Sequence, residues 1–328
     1  MKKKHDVFDN IQRITESYLT HRANVAAIKK EKQQKKSVLA DWVESFIWAV
    51  CVVLIINQYL FQAYQIPSGS MIDTLLIGDK IIVNKIIYGP ELLPGIAKIK
   101  SPIHVQRNDV IIFENPDYIS RGPVFDLAQR LIFMLTFSLV DIDKDADGRP
   151  RAHFLIKRAV GEGGDTFYNV NGNMYVQFAG EDRIIAETDY NKSRLWKHKL
   201  TRLTGEDVYP ALVASGKAEA YMDMRLRVPS YIEDAYSTHR FSETDDFTAM
   251  ETARLGLLNA AFPHEERFSK EVARRSAGRY VSYGRILPLG DNRDNSHDGR
   301  FFGPVKVSKI LGRGAFKFWP HTRVGSIN

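Results

Sequence analysis

The feature that most constrains this chain is an uncharged apolar run near its start, Ser45 to Tyr64, reading "SFIWAVCVVLIINQYLFQAY". Twenty helical residues rise about 30 Å, the thickness of the hydrocarbon core of a bilayer. Trp42, Trp48, Tyr59 and Tyr64 suit the two water–lipid interfaces. Asn57, Gln58 and Gln62 make the second half less apolar, which keeps a buried helix of a soluble protein as the alternative. The segment before the run, residues 1–44, is longer than the n-region of a cleavable signal peptide. The run therefore predicts one uncleaved signal-anchor.

Charge gives that anchor a direction. The formal net charge is +7, and residues 1–40 hold ten Lys/Arg against four Asp/Glu, so nearly all of the excess precedes the run. A basic flank stays in the cytoplasm, which puts the rest of the chain on the outer face of the cytoplasmic membrane. With the excess explained as a membrane flank, membrane lipid is an expected partner and nucleic acid is not. The lone cysteine, Cys51, excludes an internal disulfide framework and a cysteine-cluster zinc site.

Beyond residue 66 the pattern is mainly β. "DKIIVNKIIYG" (79–89), "NDVIIFENP" (108–116), "HFLIKRAVG" (153–161), "TFYNVNGNMYV" (166–176), "GRILPLGDN" (284–292) and "KILGRGAFKFW" (309–319) are short branched or aromatic runs bounded by turn residues. Asn171-Gly172 between alternating flanks is a hairpin signal. Residues 179–276 differ, being charged and rich in Ala, Glu and Arg, with a helix-like stretch near Asp245–Ala260. The expected organisation is a basic segment (1–44), an anchor (45–64), a β core in two parts (65–178 and 277–328) and an inserted α+β subdomain (179–276). A second apolar patch, Leu131–Val140, is too short to cross a bilayer; core element and membrane-surface contact both fit it.

Three segments hold candidate chemistry. "IPSGSMIDTL" (66–75) follows the anchor and presents Ser68 and Ser70 around Gly69, as a linker or as an exposed nucleophile. "FLIKRAVGEGGD" (154–165) sets Lys157 among apolar neighbours, as a solvated edge residue or a desolvated base. "GDNRDNSHDGR" (290–300) gathers acids and amides around Arg293, Ser296 and Arg300 in a loop. These motifs, in this order, resemble the bacterial type I signal peptidases (leader peptidases), from the anchor to about residue 178 and again from about 280; the insertion carries no matching motif.

The resemblance implies an antiparallel β catalytic core tethered by a transmembrane helix and a serine endopeptidase of the Ser-Lys type. It makes Ser70 the nucleophile and Lys157 the general base, with Ser68 and the Ser70 backbone N–H as oxyanion donors. Ser296 would orient the Lys157 amine, Asp298 and Arg300 would form a supporting ion pair, and Asp291 and Arg293 would shape the same loop. Expected substrates are preprotein signal peptides, bound as an added strand and cut after small residues in an A-x-A pattern. No metal and no cofactor are implied, and a monomer is expected. Rival readings are a Ser-Lys peptidase with a narrow substrate set and a catalytically silent, membrane-tethered, secretion-associated binding protein. Two departures stand out: Asp73 where the family has Pro, and Gly299 where it has Ser. Asp73 would raise the lysine if it faced it, so it is expected to point away.

Other signals are set aside. "DKDADG" (143–148) starts like a calcium loop but has Phe154 at its twelfth position, and reads as a solvated acidic turn. "HEERF" at His264 lacks the second histidine of a zinc peptidase helix. His297, the one histidine in the motif cluster, is expected to face solvent.

Overall fold

A computed structural model describes residues 2–35, 37–93, 97–136, 140–145, 148, 151–237 and 247–327. Parts of three expectations lie outside the described residues: 137–139 of the second apolar patch, 146–147 of the acidic turn and 245–246 of the helix-like stretch. The chain divides into two compact units, Met1–Val53 and Leu54–Asn328.

The first unit is helical. Helix α1 spans Lys2–Lys35 and α2 spans Val38–Ile55. With a π-helical turn at Ile56–Leu60, α2 forms an apolar stretch, Val38–Leu60, long enough to cross a membrane. It begins earlier than the expected 45–64, and its end differs too: Phe61–Gln65 is strand β1. The polar residues of the run explain the handover. Asn57 and Gln62 are buried in the second unit, and Gln58 Nε2 donates to the Glu91 carbonyl at 3.0 Å.

The second unit is built on antiparallel sheet. Its strands are β1, β2 (Lys80–Asn84), β3 (Glu91–Leu93), β4 (Ala97–Lys98), β5 (Val110–Glu114), β6 (Phe154–Gly161), β7 (Thr166–Val170), β8 (Asn173–Gln177) and β9 (Ile184–Ala186). They continue with β10 (Arg279–Tyr280), β11 (Arg285–Leu289), β12 (Val305–Lys306), β13 (Ile310–Trp319) and β14 (Gly325–Ser326). The main sheet runs β1-β2-β13-β5-β6-β11-β12, with β14 on β13, and a second sheet runs β10-β7-β8-β9. Successive residues Ile111 and Ile112 of β5 enter different apolar clusters, so this sheet is covered on both faces. The Asn171-Gly172 turn joins β7 to β8 with both residues at positive φ, 48° and 69°, as a tight hairpin requires.

The antiparallel core expected from the sequence is thus observed, interrupted by helices. Helix α3 (Pro123–Leu135) lies between β5 and β6. Within 179–276, β9 is followed by α4 (Glu187–Ser193), α5 (Tyr209–Asp223), α6 (Ser230–Ser237), α7 (Phe247–Ala261) and α8 (Glu266–Ser276). Helices α5 and α7 approach closely at Gly216, where a Cβ would stand 2.0 Å from the Met250 carbonyl oxygen. The acidic turn is not solvated at its first residue. Asp143 is fully buried, accepting from Tyr118 Oη at 2.9 Å, with Arg121 Nε at 3.0 Å and His153 Nε2 at 3.0 Å. These neighbours come from distant segments, so the sequence pattern alone read the residue as exposed.

Candidate active site

Strand β6 carries Lys157 and Arg158, and both are buried, at 3% and 1% exposure. Pairing with β5 sets Ile111 opposite Lys157 and Val110 opposite Arg158. Adjacent residues of a strand point to opposite faces. The structure takes in both and gives each a different partner.

Lys157 Nζ lies 2.7 Å from Ser70 Oγ and 3.1 Å from the Ile156 carbonyl. Burial is the main force on this amine, pushing it down to about 8; Asp298 and Asp291 pull it up and Arg300 pushes it down further. Ser70 stands in a 3₁₀ turn, Gly69–Met71, that follows the extended Ser68. Ser68 Oγ is 3.5 Å from Ser70 Oγ. Ser70 is itself buried, so serine and lysine meet in a site largely closed to water.

The turn is held by the 290–300 loop, although the two lie more than two hundred residues apart. The Asn292 N–H donates to the Ser70 carbonyl at 3.1 Å, and its Nδ2 donates to the Gly69 carbonyl at 3.1 Å. Gly290 permits this approach: a Cβ there would stand 2.2 Å from Ser296 Oγ and 2.6 Å from the Ser70 carbonyl oxygen. Asp298 is fully buried and accepts from the Gly290 N–H at 2.9 Å and from Arg300 Nε at 2.9 Å. Burial works to raise its carboxyl, but Arg300 and these N–H donors hold it below the usual range. The expected Asp298–Arg300 pair is therefore present.

Asp291 and Arg293 share the loop but not each other. Asp291 takes a two-pronged bond from Arg158, Nε at 2.8 Å and Nη2 at 2.6 Å, and accepts from Thr74 Oγ1 at 2.5 Å. Arg158 Nη1 also donates to the Asn108 carbonyl and side chain, each at 2.9 Å. Arg293 instead grips Glu187 of α4 at 2.5 and 2.7 Å and donates to the Gly290 carbonyl. Ser296 Oγ is buried and makes no hydrogen bond among the described residues, so the expected bond to the Lys157 amine is not formed here. His297 is exposed and pairs with Asp117 at 2.8 Å.

Asp73 resolves the departure from the family pattern. Its Oδ2 accepts from Thr201 Oγ1 at 2.9 Å and lies 3.8 Å from Lys199 Nζ. The carboxylate thus turns toward the insertion. The same short segment runs beside the loop: the Thr201 N–H donates to the Asp291 carbonyl, the Arg293 N–H donates to the Thr201 carbonyl, and Arg202 pairs with Asp294 at 3.0 Å. Arg158, Thr74, Asn108 and Asn292 lie in or beside the quoted motifs, and only burial reveals their part. Glu187, Thr201 and Arg202 lie in the insertion, where no pattern marks them.

The family model described as "Signal peptidase, peptidase S26" matches residues 39–319. A curated protein named Signal peptidase I from Buchnera aphidicola subsp. Schizaphis graminum is 37% identical over 92% of this chain and 81% of its own. Those from Haemophilus influenzae and Aquifex aeolicus are 27% and 26% identical, over 88% and 87% of this chain and 72% and 85% of their own.

Proposed function

As a member of the signal peptidase family, peptidase S26, this chain is a serine peptidase, and we propose that it cleaves signal peptides from exported preproteins with Ser70 as nucleophile and Lys157 as general base. The observation that carries this reading is the 2.7 Å contact between Lys157 Nζ and Ser70 Oγ in a buried setting.

An amine accepts a proton only when uncharged, and a solvated lysine titrates at about 10.4. Lowering it to about 8 corresponds to roughly 3 kcal/mol of differential destabilisation of the ammonium form, which desolvation supplies. As the Ser70 hydroxyl oxygen bonds to the scissile carbonyl carbon, its proton passes to Lys157 Nζ. The resulting ammonium returns that proton to the leaving amine, and an acyl-enzyme remains on Ser70. A water then attacks the ester, with Lys157 again taking the proton, and the serine is freed. The Ser70 backbone N–H and the Ser68 hydroxyl are the oxyanion donors in this scheme; losing one such donor costs about 3–4 kcal/mol.

Binding follows strand addition, with small side chains at the residues before the cut. The apolar Val38–Leu60 helix is the membrane anchor of this reading, with the basic N-terminal segment in the cytoplasm and the β core on the outer side.

The test is cleavage by the detergent-solubilised full chain. A preprotein incubated with it should yield a new N-terminus immediately after an A-x-A sequence, read by N-terminal sequencing. Absence of any cut would overturn the activity. Undiminished cleavage by Lys157→Ala would overturn the base assignment while leaving a serine peptidase.

A further inference from the structure

Helix α3 reverses the usual arrangement of a surface helix. Its exposed residues beyond the first are Val124, Leu127, Ala128, Leu131 and Leu135, all apolar and at spacings that align them in one stripe. Val124 is 82% exposed and Leu127 53%. Its polar residues are taken up by the protein. Gln129 is buried and donates to Asp141 at 2.9 Å, Arg130 lies 3.7 Å from both Glu91 and Glu114, and Asp126 accepts from Ser120 at 2.5 Å. A helix facing water normally presents its polar side outward, and a contiguous apolar patch marks a contact surface.

The same helix is fixed to the place where the chain leaves the apolar helix. Tyr64, in the strand that follows Leu60, packs its ring at a tilt against Phe133 of α3, with ring centroids 5.9 Å apart. Glu91, the partner of Arg130, receives the hydrogen bond of Gln58 from the last turn of the apolar helix. A chain that emerges from a bilayer near Leu60 therefore holds this leucine stripe beside its exit. Protein interfaces carry a polar rim, and the exposed residues of this stripe offer none.

We propose that α3 is an interfacial membrane helix whose Val124, Leu127, Leu131 and Leu135 side chains lie in the boundary between headgroups and acyl chains. It gives the β core a second point of contact with lipid and fixes its orientation at the membrane surface. This rests on the reading of Val38–Leu60 as a membrane anchor.

The test uses the full chain reconstituted in phosphatidylethanolamine–phosphatidylglycerol vesicles, with an environment-sensitive fluorophore on one cysteine. The native Cys51 reports the anchor. Leu127→Cys and Leu131→Cys, each with Cys51→Ala and a circular dichroism spectrum matching the parent, report the stripe. The expected result is blue-shifted emission at 127 and 131, loss of intensity with shallow nitroxide-labelled lipid and protection from aqueous iodide. Iodide quenching at both positions, with Cys51 quenched by lipid, would overturn the α3 assignment alone. Protection from both quenchers would also overturn it, since a protein or second copy would then cover the stripe. Iodide quenching of Cys51 would overturn the anchor reading itself.

Discussion

Lys157 and Lys85 are both buried lysines of the β core, and burial is the main force that pushes each down to about 8. Their surroundings separate them. Lys157 meets a hydroxyl, Ser70 Oγ, which has a proton to give. Lys85 Nζ donates to the carbonyls of Asn57 and Gln58, at 3.0 and 3.4 Å, where the apolar helix ends. Carbonyls only accept, so Lys85 closes the helix terminus as a donor, a setting that suits a basic group. A lowered amine is thus common to a candidate base and to a structural cap. What distinguishes the base is a neighbour with a transferable proton.

The sharpest way to break this contrast is to remove each amine in turn. Lys157→Ala should lower kcat on the order of 10²- to 10⁴-fold, the usual contribution of a positioned general base. The wild-type rate should be half-maximal at about pH 8. The sign follows from the proton: a general base acts uncharged, so with Lys157 in that role the rate is present above that value and falls as pH falls through it. Lys85→Met should leave this limb where it is. A limb that moves with Lys85 instead would transfer the base role.

Next in size is the pair beside the dyad. Arg158→Met leaves Asp291 buried without its guanidinium, and an uncompensated buried charge costs about 3–5 kcal/mol; urea unfolding checks it. Lys85→Met should cost less, about 1–3 kcal/mol for carbonyls left without a donor, measured the same way. If Lys85→Met destabilised as much as Arg158→Met, its role would exceed that of a cap. The smallest effect is expected at Asp73. Asp73→Asn keeps an acceptor for Thr201 and loses only the exposed contact to Lys199, worth about 0.2–1 kcal/mol, and its pH–rate limb should match wild type. A shifted limb would mean that the carboxylate does influence Lys157.

Legibility in the sequence followed local pattern. The Asn171-Gly172 turn, the short branched strands and the apolar run each encode their structure within a few residues, and the observed elements fall on them. The end of the run did not, because Asn57, Gln58 and Gln62 are placed by partners far along the chain. Asp143 was misread for the same reason, its burial depending on Tyr118, Arg121 and His153. Arg158 follows Lys157 in β6 with no local signal of its role; its hold on Asp291 and Asn108 is a tertiary fact.

By itself the sequence determined the antiparallel core, the apolar helix and, through separated motifs in order, the family and the candidate pair of Ser70 and Lys157. Short-range periodicity suffices for the strands and the helix; the antiparallel core, the family and the candidate pair came from the resemblance of the motifs. The tertiary structure decided the 2.7 Å contact, the turn of Asp73 toward Thr201, the separation of Asp291 from Arg293 and the outward leucines of α3. Each of these depends on which distant groups remove water from a side chain or satisfy it, and no local spacing carries that information.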